Sequence, residues 1–355
     1  MKSDFSKKLL HWHKHQNDRK MPWKGERDPY KIWLSEIILQ QTRVEQGWQY
    51  YERFIQTFPT IIDLAKAPDE KVYKLWEGLG YYSRCKNLLE TARVIASNYN
   101  GIFPSEYEEI RNLKGIGPYT AAAIVSFAFD KPYAVVDGNV QRILARYFGL
   151  TTPTDTGAGK KLYQQLADAL LNQKLPALYN QAIMDFGATI CKPQNPLCND
   201  CIQRPECVAF AIDQVKALPV KTKMLSKKER WFYYYLVVIN KRVYITKRSA
   251  NDIWENLYEF LLEESANGTL PDFEKSPFLK KVFEKQAFSI VSVSKQFRQQ
   301  LSHQTINGQF IVVNTNKLPR LMHHFTPVEQ GKLSQFAFPG LINKFLVSHP
   351  KLMNF

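Results

Sequence analysis

Four of the five cysteines lie in one short segment, as Cys191, Cys198, Cys201 and Cys207 in a C-x6-C-x2-C-x5-C pattern. The sequence opens MKSDFSKKLLHWHKH, without the apolar stretch of a secretory signal. Closely spaced thiolates in such a chain are more often metal ligands than disulfide partners. Zinc sites usually contain two C-x2-4-C pairs, whereas this segment has one C-x2-C pair with wider flanking spacings. The pattern predicts an iron or zinc site, with reduced structural cysteines as the alternative, and Cys85 is expected to be a buried or half-buried thiol.

Two acidic residues stand where a carboxylate could do chemistry. Glu36 lies in WLSEIILQQTR, a helical pattern that is apolar over most of its circumference. A buried carboxyl group has a raised pKa and can act as a general acid near neutral pH, although a helical glutamate is usually a solvated surface residue. Asp137 lies in VVDGNVQR, just before a predicted helix. It can cap that helix and, held rigidly there, also face a ligand.

A glycine-containing turn, LKGIGPYTA at residues 113–121, separates two helical patterns. Gly115 and Gly117 allow backbone angles and close approaches that side chains would block, and the N–H groups of the following helix can bind a phosphate. Tight turns between helices also need glycine for steric reasons alone. The turn is therefore a candidate phosphate-binding element with a purely structural alternative.

The elements that must position these residues change in type along the chain. Up to about Ile212 apolar residues recur at helical spacing, as in AAAIVSFAF and KKLYQQLADALL. Farther on, WFYYYLVVIN, KRVYITKR, FSIVSVSKQF and GQFIVVNTN predict strands, and GKLSQFAF and LINKFLVS predict helices. We expect a multidomain chain with an all-α domain at 1–214, a basic linker at 215–230 and an α+β domain at 231–355.

The charge of the chain favours a polyanionic partner. The net charge is +15, and residues 215–355 carry 21 basic and 10 acidic side chains. Such an excess attracts nucleic acid, although it can also serve solubility alone. No apolar run approaches the length of a membrane span. We expect a cytoplasmic or, in a bacterium, nucleoid-associated monomer that does not contact membranes.

Several strings of residues together resemble the MutY adenine DNA glycosylases, a family of the endonuclease III-like helix-hairpin-helix superfamily. They run in family order along residues 18–210 and comprise MPW (21–23), RDPY (27–30), LSEIILQQTRV (34–44), WEGLGYYSR (76–84), LKGIGPYTA, VVDGNVQR and the cysteine segment. The resemblance implies a helix-hairpin-helix glycosylase domain whose cysteine loop, residues 191–207, holds a [4Fe-4S] cluster.

The resemblance also implies a base-flipping reaction on double-stranded DNA containing adenine opposite 8-oxoguanine or guanine. Glu36 then protonates adenine N7, and Asp137 stabilises the cationic sugar, positioned by Tyr119 and Asn139. The endonuclease III branch has a lysine where this chain has Tyr119, and a tyrosine cannot form a Schiff base. This argues for a monofunctional glycosylase over a lyase acting on oxidised pyrimidines.

Further DNA and base contacts are implied by the same resemblance. Gln41 and Tyr81 match residues inserted between bases, and the two hairpin glycines match the phosphate-binding turn. Residues matching the adenine pocket and its surroundings are Arg19, Met21, Trp23, Thr42 and Gln181. Taken singly, the aromatic ones could be core residues and Gln41 a surface side chain.

The C-terminal part resembles the MutT-like domain of the family, with WENLYEF at 254–260 matching a strand. It lacks the R-E-x-x-E-E set of a hydrolytic Nudix domain. The family reads 8-oxoguanine through a Phe-Ser-His loop, which here is Leu301, Ser302 and His303. A DNA-binding protein that has lost catalysis is the competing hypothesis. The presence of both Glu36 and Asp137 argues against it, since a pure binder does not need two carboxylates facing a polyanion.

Overall fold

A computed structural model describes residues 2–222, 228–249, 252–265, 268–269, 272 and 275–350. The contacts divide the chain into two compact units. The helical unit comprises Met1–Lys66 and Lys86–Met224, and the sheet unit comprises Ala67–Cys85 and Leu225–Phe355. The segment 67–85 therefore groups with the C-terminal part of the chain. Among the described residues, none of the helices is both long and apolar enough to cross a lipid bilayer.

The chain is helical from Lys2 to Ala211, apart from the turns and loops between the helices. The helices are α1 (Lys2–His15), α2 (Pro29–Leu39), α3 (Val44–Thr57), α4 (Ile61–Lys66), α5 (Asp69–Trp76), α6 (Tyr82–Asn98), α7 (Tyr107–Arg111), α8 (Pro118–Phe129), α9 (Gly138–Phe148), α10 (Gly157–Leu170), α11 (Pro176–Thr189) and α12 (Val208–Ala211). The stretch LSEIILQQTRV, read from the sequence as helical, is divided between α2 and α3 by a turn at 40–43.

The core of the helical unit forms where α1, α9, α10 and α11 meet. Trp12 of α1 packs edge-on against Phe186 of α11, with ring centroids 5.0 Å apart. Phe5 packs in the same way against Tyr147 of α9, at 4.8 Å. Helix α2 packs against α3 and α8, and most of its side chains are buried. A helix that is apolar all round is expected in such a position.

The described strands of the sheet unit form one mixed sheet. Its strands are β1 (Lys228–Ile239), β2 (Arg242–Lys247), β3 (Tyr258–Glu259), β4 (Leu261–Ser265), β5 (Phe288–Val293), β6 (Phe297–Gln300), β7 (Gln304–Thr315) and β8 (Thr326–Glu329). The order is β3-β2-β1-β7-β5, with β4 paired to β1, β6 to β7 and β8 to β2. Strands β1 and β7 run parallel, with Tyr235 opposite Ile311, and the other pairs are antiparallel.

Strand β1 is buried on both faces, which explains its continuous apolar sequence WFYYYLVVI. On one face Tyr233 and Tyr235 belong to a core that includes residues of α13 (Pro277–Phe283). On the other, Tyr234 stacks on Phe310, which stacks on Phe345 of α14 (Gly340–Ser348). The predicted architecture, a helical domain and an α+β domain, is confirmed.

Two local predictions in the sheet unit hold only in part. GKLSQFAF forms 3-10 turns at Gln330–Gln335 in place of an α-helix. Only Gln330 and Leu333 are buried there, so no apolar stripe of helical period stabilises a longer helix. In WENLYEF the residues 253–256 form a turn, and β3 contains only Tyr258 and Glu259. Both Trp254 and Asn256 have positive φ angles, 64° and 67°, which an extended strand does not allow.

The predicted linker, 215–230, lies partly outside the described residues. Leu218 is buried in the core of the helical unit, and the Thr154 N–H donates to the Val220 carbonyl at 3.0 Å. Strand β1 begins at Lys228. The described part of this segment is thus packed against the helical unit up to Val220 and is strand from Lys228 onward.

Candidate active site

Glu36 lies in the second half of α2, a helix that begins at Pro29 and is capped by the Asp28 carboxylate. The residue is 7% exposed, as its apolar neighbours predicted. Burial raises the pKa of the Glu36 carboxyl to about 7; a hydrogen bond donated by the Tyr119 hydroxyl lowers it and the negative charge of Asp137 raises it. Near neutral pH a large share of the Glu36 side chains therefore carries a proton that can be donated.

Asp137 is the N-cap of α9, as the sequence predicted. Its Oδ1 accepts a hydrogen bond from the Val140 N–H at 2.8 Å, and its Oδ2 accepts one from Asn139 Nδ2 at 2.7 Å. Burial raises the pKa of Asp137, and the hydrogen bonds from Val140 and Asn139 oppose that rise. Asp137 receives more hydrogen bonds than Glu36 does, so hydrogen bonding opposes protonation more strongly at Asp137 than at Glu36.

The glycine turn joins α7 to α8 and positions Tyr119 in the first turn of α8. Gly115 has a φ of 77°, and an added Cβ would lie 2.7 Å from the Asn87 Cβ, so the fold requires glycine there. Gly117 has a φ of −88°, and an added Cβ would meet nothing within 4 Å. The fold itself therefore does not require glycine at 117, and its open side is available for close approach of a ligand.

One pocket of about 560 Å³ in the helical unit contains all four proposed catalytic side chains, Glu36, Tyr119, Asp137 and Asn139. It is also lined by the predicted recognition residues Arg19, Met21, Trp23, Gln41, Thr42 and Gln181. A pocket of this size lies in the range of small-molecule sites and can accept a base turned out of a duplex. Residues from α2, α8, α9 and α11 are thus brought together from positions far apart in sequence.

Sequence reasoning missed residues behind the pocket wall. Asp185, on α11, is buried and accepts hydrogen bonds from Arg19 and Gln181. Arg142 donates from Nη2 to Asn139 Oδ1 at 2.9 Å and from Nε to the Cys191 carbonyl at 2.8 Å. Both offered a weak signal, since Asp185 follows Gln181 by one helical turn and Arg142 ends the string VVDGNVQR.

The cysteine loop follows α11 directly and contacts the core of the helical unit. No closed set of three or more potential metal ligands is preformed among the residues described. Burial is the main cause that raises the pKa of Cys198, Cys201 and Cys207. The charges of neighbouring thiols raise it further. Arg146 Nη1 lies 3.4 Å from Cys191 Sγ and donates to the Lys192 carbonyl at 2.7 Å. The loop therefore gathers its thiols in one region, anchored to α9 by an arginine.

The remaining predicted recognition residues lie in the sheet unit. Tyr81 is 40% exposed, has a φ of 48°, and its hydroxyl is hydrogen-bonded to Ser302 Oγ. Ser302 and His303 are exposed in the turn between β6 and β7. The segment carrying Tyr81 and the Leu301-Ser302-His303 loop thus meet, although 221 positions separate the two bonded residues.

Comparison with known proteins agrees with this geometry. Residues 34–168 match the HhH-GPD superfamily of base excision DNA repair proteins. An adenine DNA glycosylase of Buchnera aphidicola subsp. Baizongia pistaciae is 33% identical over 317 residues, 87% of this chain and 86% of that protein. The structure of a thermostable thymine-DNA glycosylase is 31% identical with a TM-score of 0.55, over 59% of this chain and 97% of that one. A non-covalent endonuclease III–DNA complex, 21% identical with a TM-score of 0.52 over 60% and 98% of the two chains, shares the fold. The chain belongs to the MutY adenine DNA glycosylase family of the helix-hairpin-helix superfamily.

Proposed function

We propose that this chain binds duplex DNA and hydrolyses the N-glycosidic bond of adenine mispaired with 8-oxoguanine or, less well, with guanine. The observation that carries the proposal is the pairing of Glu36, whose pKa is raised to about 7, with the hydrogen-bonded Asp137 in one pocket. Two carboxyl groups in different protonation states are what acid-assisted departure of a base requires. Membership of the adenine DNA glycosylase family supports adenine as the base.

In the proposed reaction Glu36 donates its proton to adenine N7. The C1′–N9 bond breaks, its electron pair stays with the base, and adenine leaves as a neutral molecule. The Asp137 carboxylate stabilises the positive charge that develops on the sugar. Water adds to C1′ and releases one proton, which returns to the Glu36 carboxylate, so the product is an abasic site.

We infer that the enzyme is monofunctional. Tyr119 occupies the position after the hairpin, and its hydroxyl donates a hydrogen bond to Glu36. A phenol cannot form an imine with the abasic sugar, as a lysine amine does. Strand cleavage is therefore expected to require added alkali.

We further propose that the cysteine loop holds a [4Fe-4S] cluster, with Cys191, Cys198, Cys201 and Cys207 as ligands. The donor set fits, because the thiols lie near one another and a cubane is bound by four thiolates. Such a cluster would brace the end of the helical unit, and the protein is expected to contain iron and sulfide in equal amounts. Stoichiometric zinc in protein prepared without air would contradict this assignment.

The sheet unit is proposed to be a MutT-like domain that recognises 8-oxoguanine. Ser302 and His303 are exposed polar residues on one turn, and Tyr81 lies beside that turn. Leu301 replaces the aromatic residue of the family motif, so the hydrogen-bonding pair is kept and one packing residue is changed. The protein is proposed to act as a monomer in the cytoplasm, at the nucleoid.

A glycosylase assay tests the proposed function. Labelled duplexes with adenine opposite 8-oxoguanine or guanine, and matched duplexes with thymine opposite adenine, are incubated with the protein and divided into samples with and without alkali. We expect strand breaks after alkali with the two mispairs, faster with 8-oxoguanine. No break in either mispair after alkali, with the duplex bound, would contradict the proposal.

A further inference from the structure

The strongest unassigned feature is the buried carboxylate of Asp185, whose side chain is 0% exposed. Its Oδ1 accepts from Arg19 Nη1 and Gln181 Nε2, both at 2.9 Å. Its Oδ2 accepts from Asn17 Nδ2 at 2.7 Å and lies 3.3 Å from Lys24 Nζ. A buried carboxylate is stable only when it is paired with a cation and hydrogen-bonded. At Asp185 two cations and two amides make these contacts.

These contacts fix which edge of the Gln181 amide faces the pocket. An ionised carboxylate only accepts hydrogen bonds, so the donating Nε2 must lie toward Asp185. The carbonyl oxygen Oε1 then lies on the edge away from Asp185, and Gln181 lines the pocket that contains Glu36. The hydrogen-bond chemistry, independent of any assignment of amide atoms, therefore presents an acceptor to the pocket.

We propose that Asp185 is a positioning residue that sets base specificity by holding Gln181 with its oxygen toward the bound base. This inference rests on the proposed function, because it takes the base in the pocket to be adenine. The exocyclic amine at C6 of adenine is a donor, which an oxygen acceptor recognises. Hypoxanthine carries an oxygen at the same position, and two facing acceptors leave both unpaired.

Asp185 also connects Gln181 to a second wall of the pocket, which is formed by the segment between α1 and α2. Asn17, Arg19 and Lys24 belong to the segment between α1 and α2, which carries Met21 and Trp23 as further lining residues. Lys24 Nζ donates to the Arg19 carbonyl at 2.9 Å, so the segment is folded around the carboxylate. Burial lowers the pKa of His13 beside this segment, against the raising effect of the Asp185 charge. The carboxylate thus organises donors from two elements that are far apart in sequence.

Single-turnover excision of adenine and of hypoxanthine, each opposite 8-oxoguanine, tests the proposal as a ratio of rates. The wild-type chain is expected to prefer adenine. Asp185→Leu keeps the side-chain size but removes every acceptor, so Gln181 can turn its nitrogen toward the base. We expect the adenine preference to fall by roughly tenfold or more. A preference within about twofold of wild type in the folded variant would overturn the proposal.

A rescue variant and a matched control separate positioning from general damage. In Asp185→Leu with Gln181→Glu the carboxylate is moved to position 181, where either oxygen is an acceptor, and the adenine preference is expected to return. If the double variant shows no stronger preference for adenine than Asp185→Leu alone, the proposed role of the acceptor is contradicted. Asp168→Leu removes the same kind of contact, Gln164 Nε2 to Asp168 Oδ1 at 3.0 Å, on an exposed part of α10. It should leave the ratio unchanged.

If Asp185→Leu does not fold, Gln181→Leu tests the same acceptor with the carboxylate intact. The preference should then fall by the same factor, and an unchanged preference would overturn the proposal. The wild-type rates distinguish a failure of the proposed function from a failure of the proposed role of Asp185. A chain that excises neither base contradicts the proposed function, whereas one that excises both equally well contradicts only the role of Asp185.

Discussion

Glu36 and Asp137 share a pocket, but the hydrogen bonds that each carboxyl receives differ. Glu36 lies among apolar side chains and receives a hydrogen bond from Tyr119, whereas Asp137 caps a helix and receives a further bond from Asn139. Local packing around each carboxyl, and not the residue type, therefore sets which of them can donate a proton.

The raised pKa of Glu36 predicts a pH-dependent effect on stability. Its folded-state pKa of about 7 lies above the usual value of 4.5, so stability linked to this group is complete at low pH and is lost as the pH rises through 7. Glu36→Gln is therefore expected to raise the free energy of unfolding at pH 8 by on the order of 1 to 3 kcal/mol, with little effect at pH 4.5. Denaturant unfolding at both pH values measures it. The exposed Glu108→Gln serves as control, and equal effects of both variants at pH 8 would argue against a buried acid.

A second prediction separates capping from catalysis at Asp137. Asparagine is as good an N-cap as aspartate, so Asp137→Asn should change the free energy of unfolding by less than about 1 kcal/mol. Excision should nevertheless fall by several orders of magnitude, because the negative charge beside the cationic sugar is lost. Thermal unfolding and single-turnover excision on the same preparation compare the two. Loss of stability in proportion to loss of activity would assign Asp137 a structural role only.

Features of single helices could be predicted from the local sequence pattern, whereas contacts between distant residues could not. The apolar circumference of α2 predicted that Glu36 would be buried, and the position of Asp137 before α9 predicted its cap. The link from Asp185 to Arg19 joins residues 166 positions apart, and no periodicity reports such a contact. The apolar residues of GKLSQFAF suggested an α-helix. In the structure Leu333 is the single buried apolar residue of Gln330–Gln335, and the segment forms 3-10 turns.

The two glycines of the hairpin are expected to respond differently to substitution. Gly115→Ala places a Cβ 2.7 Å from Asn87 at a positive φ, so the free energy of unfolding should fall by about 1 to 3 kcal/mol. Gly117→Ala meets no atom within 4 Å and should leave stability nearly unchanged. If the open side of Gly117 lies against a DNA phosphate, Gly117→Ala should weaken duplex binding even though its stability is nearly unchanged. Titration of both variants with a mispaired duplex at fixed salt measures this, and full affinity in Gly117→Ala would favour a purely steric turn.

The two units of the molecule are assigned different tasks, adenine excision and recognition of 8-oxoguanine. All four proposed catalytic side chains lie in the helical unit, and Ser302 and His303 lie in the sheet unit. Ser302→Ala combined with His303→Ala should therefore lower affinity for adenine opposite 8-oxoguanine by roughly tenfold to a hundredfold more than for adenine opposite guanine. Both duplexes must be compared at one salt concentration, because charge changes affect all DNA binding. Equal losses on the two duplexes would mean that the sheet unit does not read the lesion.

The most direct test of the account is single-turnover excision of adenine opposite 8-oxoguanine by the full chain and by Glu36→Gln, with duplex binding measured alongside. Glutamine keeps the size of the side chain but has no acidic proton to give to N7. We predict that excision falls by several orders of magnitude while binding stays within a few-fold of wild type. Wild-type excision should also slow as the pH rises above about 7, where Glu36 loses its proton. Near-normal excision by Glu36→Gln would contradict the assignment of Glu36 as the general acid.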